Sequence, residues 1–129
     1  MLKDTTTFSS FAVDDVPRAK AFYTETLGLE VEDMMGGLIL ALRSGNVFVY
    51  PKDDHTPATF TVLNFEVGDV DAAVDELTRN GVQMARFDGF HQDEKGIARP
   101  GAEGGPTIAW FKDPAGNILA VHSDEPPPS

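Results

Sequence analysis

The chain has 129 residues, 41% of them apolar, and its 10 basic and 21 acidic residues give a net charge of −11. That length suits one domain, or two small modules sharing a core, and the charge repels a phosphate backbone or an anionic membrane surface. Cysteine is absent, which excludes disulfides, thiolate metal sites and cysteine nucleophiles together.

The opening "MLKDTTTFSS" has no apolar core of the kind a signal peptide carries, and no apolar run approaches the ~18 residues that span a membrane. A cytoplasmic protein is expected, with neither nucleic acid nor membrane as its partner. An alternating strand then leads through Phe11 to Asp15, placed to cap a helix. Val16, Ala19, Phe22 and Tyr23 recur at the spacing that gives that helix one buried stripe, and Gly28 ends it. "VEDMMGGLILAL" supplies middle strands, interrupted at Gly36-Gly37, and "GNVFVY" from Gly45 a further short strand.

The same order then recurs. "FEVGDVDAA" from Phe65 repeats "FAVDDVPRA" from Phe11 at a constant offset of 54 residues, passing from strand through Asp69 into a helix with Val70, Ala73, Val74 and Leu77 on one face. Gly81 stops this second helix as Gly28 stops the first. The stretch from Phe87 to Gly105 is a long loop rich in glycine and charge, either a lid or binding segment or a mobile surface loop. "GGPTIAWFK" is a middle strand. The quartet Asp113-Pro114-Ala115-Gly116 turns the chain into "GNILAV", which parallels "GNVFVY". Each half thus reads strand, helix, then about three strands. Module one covers about residues 5–52 and module two about 58–123, while the proline-rich residues 124–129 form a flexible tail.

The polar residues form no recognisable catalytic signature. His55, His91 and His122 lie in loop-like or terminal surroundings beside acids. The grouping of His91 with Asp93 and Glu94 lacks a repeated ligand spacing such as H-E-x-x-H. No G-x-G-x-x-G opens a helix, and "ARPGAEGGP" lacks the lysine and hydroxyl residue of a phosphate cradle.

Two tandem βαβββ modules, the stretch "VDDVPRAKAFYTETLGLEV" and the "FKDPAGN" hairpin together resemble the vicinal oxygen chelate superfamily of glyoxalases, bleomycin resistance proteins and extradiol dioxygenases. The resemblance covers nearly the whole chain. It implies an α+β fold in which the two modules form a curved mixed sheet around a cleft, with helices on the outer face and two copies paired as a homodimer. In metal-dependent relatives the four ligands come from the start of each module's first strand and from each module's last strand. Carried onto this chain, those positions are Phe8, Val62, Val49 and Ala120. None offers a donor to a divalent ion, so neither a metal nor another cofactor is expected.

If Phe8 and Val62 face the cleft, alternation adds Ser10 and Ala12, and Asn64 and Glu66, and on the last strands Val47 joins Val49 and Ile118 joins Ala120. Phe11, Val13, Leu63, Phe65, Phe48, Tyr50, Leu119 and Val121 are then expected against the helices. An apolar cleft with a few polar groups suits a small organic ligand. Glu66 is the candidate for an acid/base group, or else a counter-charge to a cationic ligand or a solvated rim carboxylate. Trp110 serves either the core or, with Phe90, as a stacking surface. The resulting expectation is a metal-free small-molecule-binding protein holding an apolar or cationic ligand. The alternative is a metal-dependent lyase or dioxygenase.

Overall fold

Each half of the chain builds one βαβββ unit, as the repeat predicts. The computed structural model describes residues 1–102 and 104–124, and the chain divides into two units at Thr56 and Pro57. Of the expected flexible tail, all but Asp124 lies outside the described residues.

Unit one runs β1 (Ser9–Val13), α1 (Val16–Ala21), β2 (Glu30–Met34), β3 (Gly37–Leu42) and β4 (Gly45–Pro51), with strand order β1-β4-β3-β2. Unit two runs β5 (Thr61–Glu66), α2 (Val70–Arg79), β6 (Ile97–Ala98), β7 (Thr107–Lys112) and β8 (Ile118–Ser123), in the order β5-β8-β7-β6. In both sheets the first strand lies parallel to the last and the remaining neighbours are antiparallel. Among the described residues no helix is long and apolar enough to cross a membrane.

Both helices start where sequence places them. The Asp15 carboxylate accepts the Arg18 N–H at 3.0 Å and that of Asp69 accepts the Ala72 N–H at 3.1 Å, each satisfying a first-turn donor that has no partner within the helix. α1 passes into a single π-helical turn, Phe22–Thr26. α2 closes with the Val82 N–H donating to the Leu77 carbonyl at 3.0 Å, a wrap that requires the left-handed residue Gly81 at φ +90°.

Two details of the expected strands change. Gly36-Gly37 does not interrupt them: Met35 and Gly36, at φ 50° and 79°, form a two-residue hairpin turn and Gly37 opens β3. Positive φ at both turn residues matches the right-handed strand twist. The stretch Phe87–Gly105 is also not all loop, because Ile97 and Ala98 pair with Ala109 and Ile108 as β6.

The larger correction concerns the faces of β4. Phe11 is registered with Val49, and Val49 with Leu38, so all three point to one side of the sheet. The Tyr23 ring, just after α1, packs on Phe11 at 6.2 Å. Val47 and Val49 are therefore buried beneath the helix, together with Val13, Leu38 and Leu40. Phe48 and Tyr50, expected there, stand on the other face.

The reason is turn length. Leu42 pairs with Gly45 across the two residues Arg43 and Ser44, whereas Lys112 pairs with Ile118 across five. Gly45 is thus a paired strand residue and Gly116 a turn residue. Aligning β4 with β8 by their glycines slips the register by one, and a one-residue slip inverts every side chain.

In unit two the alternation holds. Phe65, Val121 and Ala109 share a face, with Leu63, Leu119 and Phe111, and α2 buries Val70, Val74 and Leu77. The opposite face carries a second apolar cluster of Trp110, Ile118 and Ala120, with Ala85, Phe87, Ala98 and Ile108. No helical residue belongs to it. Segment 85–98 itself supplies the cover.

Candidate functional site

The faces turned away from the helices are where side chains remain available to a ligand. In unit one this face carries Phe8, Ser10, Ile39, Phe48 and Tyr50, the last two with stacked rings 6.1 Å apart. A groove of about 550 Å³ lies along it, lined by Thr6, Thr7, Phe8, Glu32, Met34, Met35, Ile39, Asn46 and Phe48. Phe8 is 70% exposed and Met35 87%, a large apolar surface for a chain of this size to leave in water. Glu32 supplies the groove's negative charge.

In unit two, successive rungs of the sheet set the chemistry of the face. Asn64, Ala120 and Trp110 occupy one rung, and Glu66, His122 and Ile108 the next. Ala120 is fully buried and Trp110 is 7% exposed. The Phe87 ring meets Trp110 edge-on at 5.7 Å and that of Phe90 lies over it at 4.8 Å, separations at which aromatic pairs attract.

The covering segment is anchored at its base. The Ala85 N–H donates to the Trp110 carbonyl at 2.8 Å. The Gln92 amide accepts from the Phe87 N–H at 2.9 Å, and donates to the carbonyls of Ala85 at 2.9 Å and Gly96 at 2.8 Å. Arg99 then joins the segment to α2, donating to both Asp71 carboxylate oxygens at 3.1 and 2.9 Å and to Asp93 at 2.9 Å. Lys95 adds an ion pair to Asp75 at 3.0 Å.

These pairs shift the carboxyls. Hydrogen bonding from Arg99 holds Asp71 below the usual aspartate range. For Asp93, burial pushes upward but is outweighed by the Ile97 N–H, the Arg99 side chain and the Lys95 N–H, so it too is lowered.

The structure thus distributes the expected cleft residues. Phe8 and Ser10 share the open face of unit one; Asn64, Glu66, Trp110, Ile118 and Ala120 share that of unit two. Val62 sits at a register shift between Thr61 and Leu63. Val47 and Val49 lie beneath α1, and Phe48 takes the position that register makes equivalent to Ala120. His122 lies within β8 rather than in terminal surroundings. Sequence reasoning missed Glu32, Met34, Met35 and Asn46; the two-residue hairpin at Met35-Gly36 was the signal that places the first three, and the Arg43-Ser44 turn the one that places Asn46. It also missed the role of Asp93, whose carboxylate is taken up by the loop and Arg99.

A divalent ion does not fit the positions at which relatives would hold one. With the register corrected these are Phe8, Phe48, Val62 and Ala120, which offer only carbon. Among the described residues no group of three His, Cys, Asp or Glu is placed to hold a metal.

The family model for the Glyoxalase/Bleomycin resistance protein/Dioxygenase superfamily matches residues 6–121. The chain belongs to that superfamily. Solved members share its fold at low identity. A glyoxalase family protein from Enterococcus faecalis superimposes with a TM-score of 0.70 at 20% identity, over 95% of this chain and 99% of that one. The fosfomycin resistance protein FosX from Listeria monocytogenes gives 0.69 at 15% identity, over 93% of each chain. A lactoylglutathione lyase from Agrobacterium tumefaciens gives 0.63 at 18% identity, again over 93% of each. No curated protein matches the chain in sequence. Likeness at this level establishes the fold, while the chemistry of the faces bears on what the superfamily scaffold does here.

Proposed function

We propose that the protein is a metal-free, cytoplasmic small-molecule-binding member of the superfamily, holding an apolar or cationic organic ligand on a sheet face turned away from the helix of its unit. The observation that carries this reading is the replacement of donors by carbon at Phe8, Phe48, Val62 and Ala120 on faces that offer aromatic surface. An apolar lining with a few polar groups is the usual make-up of a small-molecule site; those groups are Glu32 and Asn46 on the unit one face, and Asn64 and Glu66 on the unit two face. The charge of −11 and the carboxylates of Glu32 and Glu66 favour a cation over an anion.

A thermal-shift screen of cationic and neutral aromatic compounds, run beside zinc, manganese and nickel, tests the reading. A ligand at about 100 times its Kd stabilises the fold by roughly 2.7 kcal/mol. The expected result is stabilisation by organic compounds and indifference to metals. Selective stabilisation by one divalent ion, with none by organic compounds, would overturn the proposal in favour of a metal-dependent lyase or dioxygenase.

A further inference from the structure

The segment that covers the unit two face is fixed at its base and free at its tip. Gln92 and Arg99 hold the base through the bonds described above, and the Arg86 guanidinium adds one to the Asp93 carbonyl at 2.6 Å. Among the described residues, none of Asp88, Gly89, Phe90 and His91 enters a side-chain hydrogen bond or an ion pair. Gly89, at φ +90°, supplies a turn that a residue with a Cβ resists. Beyond it Phe90 lays its ring 4.8 Å from that of Trp110, tilted by 50°, while remaining 56% exposed. A phenyl ring that leaves over half its residue in water is weakly retained, yet it lies against Trp110, which is left only 7% exposed.

We propose that Phe90 is an internal occupant of an aromatic subsite on Trp110, and that a flat aromatic ligand binds there by displacing it. The proposal rests on the reading that this face holds small molecules, and it narrows the ligand class to compounds with an aromatic ring. Displacement needs only the tip Asp88–His91 to move, because the base is tied independently. Phe87 stays behind as the edge-on wall, its N–H held by Gln92. Lifting Phe90 exchanges one ring contact on Trp110 for another of the same kind, so a ligand gains affinity from whatever its ring and charge add beyond a phenyl group.

Trp110 is the only tryptophan in the chain, so its fluorescence reads this site alone. The experiment compares wild type with Phe90→Ala and Phe90→Leu, using the neutral dye N-phenyl-1-naphthylamine and acrylamide as a contact quencher. Phe90→Ala is expected to shift Trp110 emission to the red and raise its quenching, with Phe90→Leu between. The dye quenches Trp110 in all three proteins and binds Phe90→Ala about three- to tenfold more tightly, since the competing ring pair is gone. Unchanged Trp110 emission in Phe90→Ala would show that the ring does not rest there and would overturn the proposal. Weaker or equal dye binding to a Phe90→Ala protein whose Trp110 is exposed would make Phe90 a wall of the site, overturning the displacement while leaving small-molecule binding intact. A dye that quenches Trp110 in none of the proteins would also overturn it. Compounds that raise the melting temperature without altering Trp110 emission would then place binding at the unit one groove.

Discussion

A single methyl group separates tolerated from untolerated change at the start of β3. A Cβ built on Gly37 would stand 2.3 Å from the Val49 carbonyl oxygen and 3.2 Å from a ring carbon of Phe48. Gly37 is therefore required by the close approach of β4, and not by its own backbone angles. Gly37→Ala is expected to destabilise the fold by about 1–3 kcal/mol, the usual range for overpacking, read as a lower urea midpoint with an unchanged slope. An unaltered midpoint would mean that β4 yields at no cost. At this scale the sequence was partly legible. Ile118 and Ala120 could be placed on one face by counting alternate residues. Val49 could not, because its orientation depends on how many residues the preceding turn uses.

At the scale of elements, two features set the organisation: capped helices that sequence announces, and an ion-pair clasp that it does not. Asp69→Ala removes the acceptor for the Ala72 N–H and is expected to cost about 1 kcal/mol, measured as a fall in melting temperature, with the helical signal otherwise retained. The clasp is Arg99 between Asp71 on α2 and Asp93 in the covering segment. Arg99 lowers the Asp71 carboxyl and, after the Ile97 N–H, helps to lower that of Asp93, so their contribution to stability is complete above the unfolded aspartate pKa and is lost as pH falls through the lower folded values. Wild type is expected to exceed Arg99→Gln in stability at pH 7, and the difference to shrink progressively below about pH 4. Both aspartates are partly exposed, so added salt at pH 7 should also narrow the gap. A difference that stayed constant from pH 7 to pH 2.5 in parallel denaturant titrations would show that Arg99 acts through packing alone. In sequence, Arg99 and Asp71 are 28 residues apart, a distance at which no helical or strand period links them.

For the molecule as a whole, exposed apolar residues set the expectation. Phe8, Met34, Met35 and Phe60 each leave nearly half or more of their surface in water, and homodimerisation would cover surface of this kind. Light scattering at micromolar concentration is expected to give twice the chain mass of 13.9 kDa, and Met35→Lys with Phe8→Ser to shift it toward the monomer. A monomer mass for the wild-type protein would contradict this and leave the groove of unit one to ligand alone. The amino-acid sequence by itself determined the repeated βαβββ order, the two aspartate caps and the glycine stops. Each is encoded within a short window, where local hydrogen bonding and hydrophobic period decide the outcome. Tertiary structure alone decided which face of β4 is buried, which residues line the unit one groove, and that Phe90 and Phe87 close over Trp110. Those depend on register between strands distant in the chain, and register follows from turn geometry and pairing that no local period records.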